Sequence, residues 1–164
     1  MAWKHGPGAY AFGRLTGRKY ATLHGLRSTT ERALRRGKLD RASRLARELV
    51  DLAEQFRHDF HYGNALHQGH RLLGEVALRH GDLETARAEL LESGRTPGSP
   101  QLNSFGPNMT LAKGLLEAGE REVVLQYFDL CGAFWKYDIQ GSLAAWTADV
   151  REGRIPDFRA NLVY

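Results

Sequence analysis

Apolar residues recur at three- and four-residue steps along most of the chain. From Leu39 they fall at Ala42, Leu45, Ala46, Leu49, Leu52, Ala53 and Phe56, the single stripe of one helix face. A second such pattern occupies residues 62–80 through Ala65, Leu66, Leu72, Leu73, Val76 and Ala77, and Gly81 supplies its stop signal. The same spacing continues from Leu83 through Ala86, Leu90 and Leu91 to Gly94. Residues 109–118, closed by Gly119, residues 122–135, and residues 139–151, closed by Gly153 and Pro156, complete the predicted helices. Residues 123–128 taken alone would pass for a buried strand, but no alternating pattern persists, so the class is all-α. Two stretches resist the helical reading. Residues 95–107 hold Pro97, Gly98, Pro100, Gly106 and Pro107 and are expected to be a loop, with Gly106 capping a helix that starts at Pro107. Residues 1–22 carry Gly6, Gly8, Gly13 and Gly17, which are expected to interrupt any helix there.

Aligning the glycines exposes an internal repeat. Gly37, Gly81, Gly119 and Gly153 each follow a helical segment, at spacings of 44, 38 and 34 residues, and periods of this size mark helix–turn–helix arrays. A single helix pair cannot bury its apolar face. Stacked pairs share a continuous core, at about 25 cal/mol per Å² of apolar area removed from water. In the second unit, Leu73-Gly74, Ala77, Gly81-Asp82, Ala86 and Leu90 stand at the spacings of a tetratricopeptide repeat, which this unit resembles. The first unit keeps Ala33, Gly37, Ala42 and Ala46. The third keeps Leu111, Ala112, Leu115, Gly119 and Phe128, with Val124 where a small Ala is expected. His70 replaces the family's Trp, the closing Pro is displaced to Pro97, and Pro156 leaves the fourth unit little room for a second helix. The resemblance spans about residues 23–155. It implies an antiparallel helix-pair solenoid of about three to four repeats over residues 23–164, behind an extension or cap over residues 1–22.

The resemblance also implies a function and a surface. Members of that family are non-catalytic scaffolds whose concave groove is lined by the first helix of each pair. In this chain the groove positions are Arg27, Glu31 and Arg35; Arg71, Glu75 and Arg79, with Gln68; Met109, Lys113 and Glu117; and Leu143, Thr147 and Arg151. The stripe leans positive, so the expected partner is an extended, acidic peptide or protein held by Arg forks. The competing reading is that i,i+4 pairs such as Arg27–Glu31 and Arg71–Glu75 neutralise one another. The Asn residues that some members use to clamp a terminal carboxylate are missing, Glu31 occupying one such place.

Composition narrows the alternatives. The chain has 164 residues, 42% hydrophobic and 26% charged, which excludes a wholly disordered or collagen-like sequence. No apolar run reaches the ~18–20 residues of a membrane span, and the N-terminal residues do not read as a secretory signal. Cys131 is the single cysteine, which excludes an intrachain disulfide and makes a reducing cytoplasm the expected address. The net charge of +4 divides into +9 over residues 1–50 and −5 over the remainder. That asymmetry supports an alternative function, a nucleic-acid-binding module using the basic N-terminal third. Within it, Trp3, Tyr10, Phe12 and Tyr20 interleave with Lys4, Arg14, Arg18 and Lys19, a composition that suits stacking on single strands or a membrane surface and equally suits a cap over the first repeat. Self-association is a third possibility, through Trp135, Tyr137, Trp146, Phe158, Leu162, Val163 and Tyr164, which serve equally as the solenoid's own capping layer.

Candidate chemistry is sparse. His58, His61, His67 and His70 give two i,i+3 pairs that one metal would bridge, with Glu54 and Asp59 as further oxygen ligands. No His-Glu-x-x-His signature accompanies them, and hydrogen-bonded or solvated junction histidines are the simpler expectation. No cofactor is expected. Gly6-Pro7-Gly8 lacks the Gly-Lys-Ser of a phosphate loop, no Gly-x-Ser-x-Gly elbow occurs, and Cys131 lies among Phe128, Phe134 and Trp135 as a structural thiol would. No enzyme is expected. The 94–108 segment is longer than most helix–helix connections. Its Arg95, Asn103, Ser104, Phe105 and Asn108 are therefore candidate recognition residues, the alternative being a rigid spacer.

Overall fold

The computed structural model describes residues 7–163, and their side chains from residue 21 onward. Among the described residues there are eight α-helices and no strand: α1 (Pro7–Arg35), α2 (Leu39–Glu54), α3 (Tyr62–Arg79), α4 (Leu83–Gly94), α5 (Pro100–Phe105), α6 (Thr110–Glu117), α7 (Arg121–Phe134) and α8 (Ser142–Arg151), followed by a 3₁₀ turn (Arg159–Leu162). The all-α class holds, and residues 123–128 lie inside α7 rather than in a strand.

The four aligned glycines make the same turn. Gly37, Gly81, Gly119 and Gly153 have φ of 68°, 77°, 86° and 81°, the left-handed region that glycine enters without a Cβ penalty. Each turn carries the same two bonds. Gly81 N–H donates to Leu78 O and Asp82 N–H to Ala77 O, and the pattern recurs as Gly37 to Leu34 with Lys38 to Ala33, Gly119 to Leu116 with Glu120 to Leu115, and Gly153 to Val150 with Arg154 to Asp149. This doubled bond satisfies carbonyls that a helix C-terminus leaves open, so helix end and chain reversal come from one residue.

Consecutive helices pack in order. α1 lies on α2, α2 on α3, α3 on α4, and α7 on α8, while α3 also contacts α1 and α6, and α4 contacts α7. One apolar cluster joins α1, α2 and α3 through Leu23, Leu34, Ala42, Ala46, Leu49, Ala53, Leu72 and Val76. The second runs from Ala77 and Ala86 to Phe158, with Leu115, Val124, Tyr127, Phe128, Cys131 and Trp146 inside it. Trp135, Trp146 and Phe158 are therefore a capping layer within the molecule, whereas Tyr137 and Val163 are exposed and Tyr164 lies outside the described residues.

Three expectations are corrected. Gly8, Gly13 and Gly17 do not interrupt the N-terminal helix, because α1 runs through all of them to Arg35. A glycine costs a helix only about 1 kcal/mol, and the α1 half from Leu23 onward is anchored on α2 and α3. The interleaved aromatic and basic side chains of residues 1–20 lie outside the described residues. The 95–107 segment is not all loop, since Ser99 accepts from Leu102 N–H at 3.1 Å and Pro100 occupies the first turn of α5. Pro107 precedes α6 without starting it. Asn108 Oδ1 accepts from Thr110 N–H at 2.9 Å, and the helix begins at Thr110.

Candidate functional site

The groove positions of α1 and α3 converge on one buried ion cluster. Arg71 is 4% exposed, and a guanidinium that leaves water must find partners. Its Nε donates to Gln68 Oε1 at 2.8 Å, one terminal nitrogen to Glu31 Oε1 at 2.8 Å across the helix–helix interface, and the other to Glu75 on its own helix. Glu31 Oε1 is shared with Arg27, whose Nε stands 3.5 Å away. Arg79 spans the same interface to donate to Leu34 O at 2.9 Å. Arg71 is thus the charge centre of an α1–α3 joint and not a free groove cation. The remaining stripe positions stand apart from it. Arg35 and Arg151 are exposed, Lys113 faces Glu117 at 3.8 Å on one helix, and Met109 is fully buried.

Beside this cluster a cleft of about 370 Å³ opens between α1, α3 and α5. Leu23, Leu49, Ala65, Leu102 and Phe105 supply its apolar walls, and His24, Arg27, His61, Asn64, Gln68 and Gln101 its polar ones, with no carboxylate among them. Gln101 Nε2 donates to His61 Nδ1 at 3.2 Å. Burial lowers the His61 pKa, so the imidazole is neutral and able to accept. Two polar atoms in this lining, Arg27 Nε and Gln101 Oε1, are buried and make no hydrogen bond among the described residues. A buried donor or acceptor left unpaired costs about 1–3 kcal/mol. An occupant that satisfies such atoms recovers that cost.

The 94–108 segment holds the α5 wall of the cleft in place. His67 is fully buried on α3, with Nδ1 at 3.1 Å from Ser93 O and Nε2 accepting from Asn108 N–H at 3.0 Å. Tyr127 donates to Asn108 O at 3.3 Å, and Asn161 Nδ2 donates to Phe105 O at 3.1 Å and Pro107 O at 2.8 Å. Thr96 donates to Gly63 O at 2.6 Å, where backbone meets backbone so closely that a Cβ on Gly63 would stand 1.8 Å from Gly98 O. Asn103 accepts from Lys136 N–H at 2.9 Å. Asn103 and Asn108 therefore fasten the segment, Arg95 pairs with Glu92 on the surface, Ser104 is exposed, and Phe105 alone of the named loop residues lines this cleft.

The histidines do not converge on a metal. His58 is exposed, His61 meets Gln101, His67 is held by Ser93 and Asn108, and His70 Nδ1 lies 2.7 Å from Glu89. Among the described residues no three His, Cys, Asp or Glu side chains are grouped to hold one. The Cys131 thiol is buried, and desolvation pushes its pKa well above the usual range. Sequence reasoning missed Leu23, Leu49, Asn64, Ala65, Gln101 and Leu102 as cleft residues. The signal for the last two was Ser99-Pro100, a helix-start pair hidden among turn-forming residues. No helix among the described residues is long and apolar enough to cross a membrane. Compared with known proteins, the chain matches no family model, and no curated protein or solved structure is significantly similar to it.

Proposed function

We propose that the chain is a non-catalytic, tetratricopeptide-like interaction module that binds a peptide segment of a partner protein in the α1–α3–α5 cleft. The observation that carries this is the cleft itself, with apolar walls, a buried acceptor without a hydrogen bond in Gln101 Oε1, and the Arg27 guanidinium, whose Nε makes no hydrogen bond and only a 3.5 Å ion pair with Glu31. A large aliphatic or aromatic side chain of the partner fills the apolar part. A carboxylate or carbonyl beside it answers Arg27, and an N–H answers Gln101. An acidic flank suits a lining that holds Arg27 and no carboxylate. The buried, protonated Cys131 and the doubly bonded His67 support a scaffold over an enzyme.

The test is selection of a randomised displayed peptide library on the full chain. Enriched sequences share one large apolar residue with Asp or Glu within two positions. They bind Ala65→Phe, which fills the cleft, and Arg27→Met at least tenfold more weakly. Enriched peptides that bind Ala65→Phe as well as the unmodified chain would sink the assignment.

A second reading rests on a separate observation. Arg32, Arg35, Arg36, Lys38, Arg41, Arg44 and Arg47 are all exposed along the end of α1 and the outer face of α2, and none forms an ion pair among the described residues. The i,i+4 carboxylates Glu48 and Asp51 stand near enough in sequence to pair with Arg44 and Arg47 but do not. A phosphate backbone is the polyanion such a surface suits. Binding of a mixed-sequence oligonucleotide is expected to weaken log-linearly with salt and to be lost on charge reversal at Arg35, Arg36, Arg41 and Arg44. Binding that is insensitive to salt would remove this reading.

A further inference from the structure

A second cleft, of about 560 Å³, lies on the other side of α5. Its floor is aromatic. Trp135 and Trp146 stand 5.7 Å apart between ring centroids, and Phe158 meets Trp146 edge-on at 5.0 Å. Its rim carries large side chains that the fold leaves in water, Phe105 at 61%, Tyr137 at 62% and Ile139 at 89% exposed. Three of the chain's exposed large apolar groups therefore gather at one opening.

Two further observations bear on this cleft. Trp135 is only 8% exposed, and its indole Nε1–H, itself shielded from solvent, has no hydrogen-bond partner among the described residues, which makes this ring a sensitive reporter beside the cleft. Carboxylates also outnumber cations in the lining, where Asp138, Asp149 and Asp157 face only Arg159. Asp138 is spent, since both its oxygens accept from the N–H groups of Ser142 and Leu143 at the start of α8. Asp149 engages Arg154 through Oδ1 alone. The exposed Asp157 accepts from the Arg159 N–H through Oδ1 at 3.2 Å while its Oδ2 stands 3.5 Å from Arg159 Nε, a solvated pair that an incoming guanidinium would have to share. Arg159 itself is held at φ 47°, the sole non-glycine among the described residues in the left-handed region. Backbone strain of this kind gathers at binding sites.

We propose that this cleft binds an arginine side chain of a partner polypeptide. The planar guanidinium stacks on the exposed rings of Phe105 or Tyr137 and pairs with Asp149 and Asp157. Aromatic faces attract cations, and a fork of donors matches a carboxylate in a way that a neutral apolar side chain does not. The proposal stands on this cleft alone and does not depend on what occupies the α1–α3–α5 cleft.

The experiment uses the full chain labelled with ¹⁵N, and follows the indole N–H resonances of Trp135 and Trp146 during titration with acetyl-Ala-Ala-Arg-Ala-Ala-amide. Peptides with norleucine or lysine in place of arginine serve as comparison. The arginine peptide is expected to shift the Trp135 resonance saturably and to bind at least tenfold more tightly than the norleucine peptide, with lysine between them. Tyr137→Ala and Asp157→Asn change exposed side chains and leave the core intact, so the spectrum itself reports that each variant is folded. Each is expected to weaken the arginine peptide about threefold to tenfold. No saturable shift, equal binding of the norleucine peptide, or unchanged affinity in both variants would overturn the site. Equal binding of the lysine peptide would overturn its assignment to a guanidinium.

Discussion

Acidification from pH 7 to pH 4 is expected to destabilise the fold through one ring, His67. The ring is fully buried, and desolvation depresses its pKa from 6.5 to about 4. In the unfolded chain it titrates near the ordinary ~6.5. Between those two values the unfolded chain binds a proton that the folded chain refuses, so the stability contribution is complete above the unfolded pKa and falls as pH drops. At about 1.4 kcal/mol per pKa unit the loss reaches about 3 kcal/mol at pH 4, a large share of a typical total of ~5–15 kcal/mol. The hydrogen bonds give the same sign. Nδ1 faces Ser93 O and is the donor, so Nε2 must accept from Asn108 N–H, and protonation would set two donors against each other. The assay is urea unfolding at pH 7, 6, 5 and 4 for the unmodified chain and for His67→Gln. The variant is expected to start less stable at pH 7 and to lose less on acidification, so that the gap narrows by about 3 kcal/mol. Burial of His61 acts in the same direction in both proteins. The Glu54 and Asp82 carboxyls, held below their usual values chiefly by hydrogen bonds from Tyr62 and Thr85, add losses at still lower pH. These contributions cancel in the difference. Parallel curves across this range, or a folded-state His67 resonance that titrates near 6.5, would refute the reasoning.

Three further outcomes follow from the packing. Arg71→Met leaves Glu31 and Glu75 without their interhelical cation and is expected to cost about 3–5 kcal/mol, about 6–20 °C in Tm, while adding Glu31→Gln and Glu75→Gln recovers most of it. A single variant within 1 kcal/mol of the parent, or a triple no better than the single, would argue against a charge-centred joint. Gly81→Ala and Gly119→Ala are each expected to cost about 1–2 kcal/mol, and the Asn variants less. Since open space surrounds both sites, a neutral result in chemical denaturation would mean that the left-handed turn is not required. Gly63→Ala drives a methyl into Gly98 O and is expected to cost about 3 kcal/mol or more. Its first sign is faster amide hydrogen exchange across residues 95–108, and unchanged protection there would contradict the close backbone approach.

The sequence showed the helices wherever one face of the chain had to be buried. The stripe from Ala42 to Ala53 is the buried face of α2, and four glycines at helix ends announced four left-handed turns. The half of α1 before Leu23 was illegible because its glycines lower helix propensity only modestly, while the packing that anchors the helix on α2 and α3 comes from the later half, which the repeat did mark. α5 was illegible because a six-residue helix with one buried side chain, Leu102, has no period to detect. The ion cluster was half legible. The i,i+4 partner of Arg71 is written in its own helix, but its partnership with Glu31 joins residues 40 apart and depends on how α1 and α3 are set against each other. The cleft itself is a by-product of where α5 docks, so no local pattern encodes it.

Asn161 has a consequence for the order in which the molecule assembles. The most extensive helix contacts here, α1 on α2, α2 on α3 and α3 on α4, join neighbours in the chain and can form as each segment becomes available. The bonds from Asn161 to Phe105 and Pro107 close loops of 56 and 54 residues, and Met109 N–H returns a bond to Asn161 O at 2.7 Å. During vectorial synthesis the wall shared by both clefts therefore lacks this brace until residues 159–162 have emerged, and a nascent chain arrested before them would present packed helices without finished clefts.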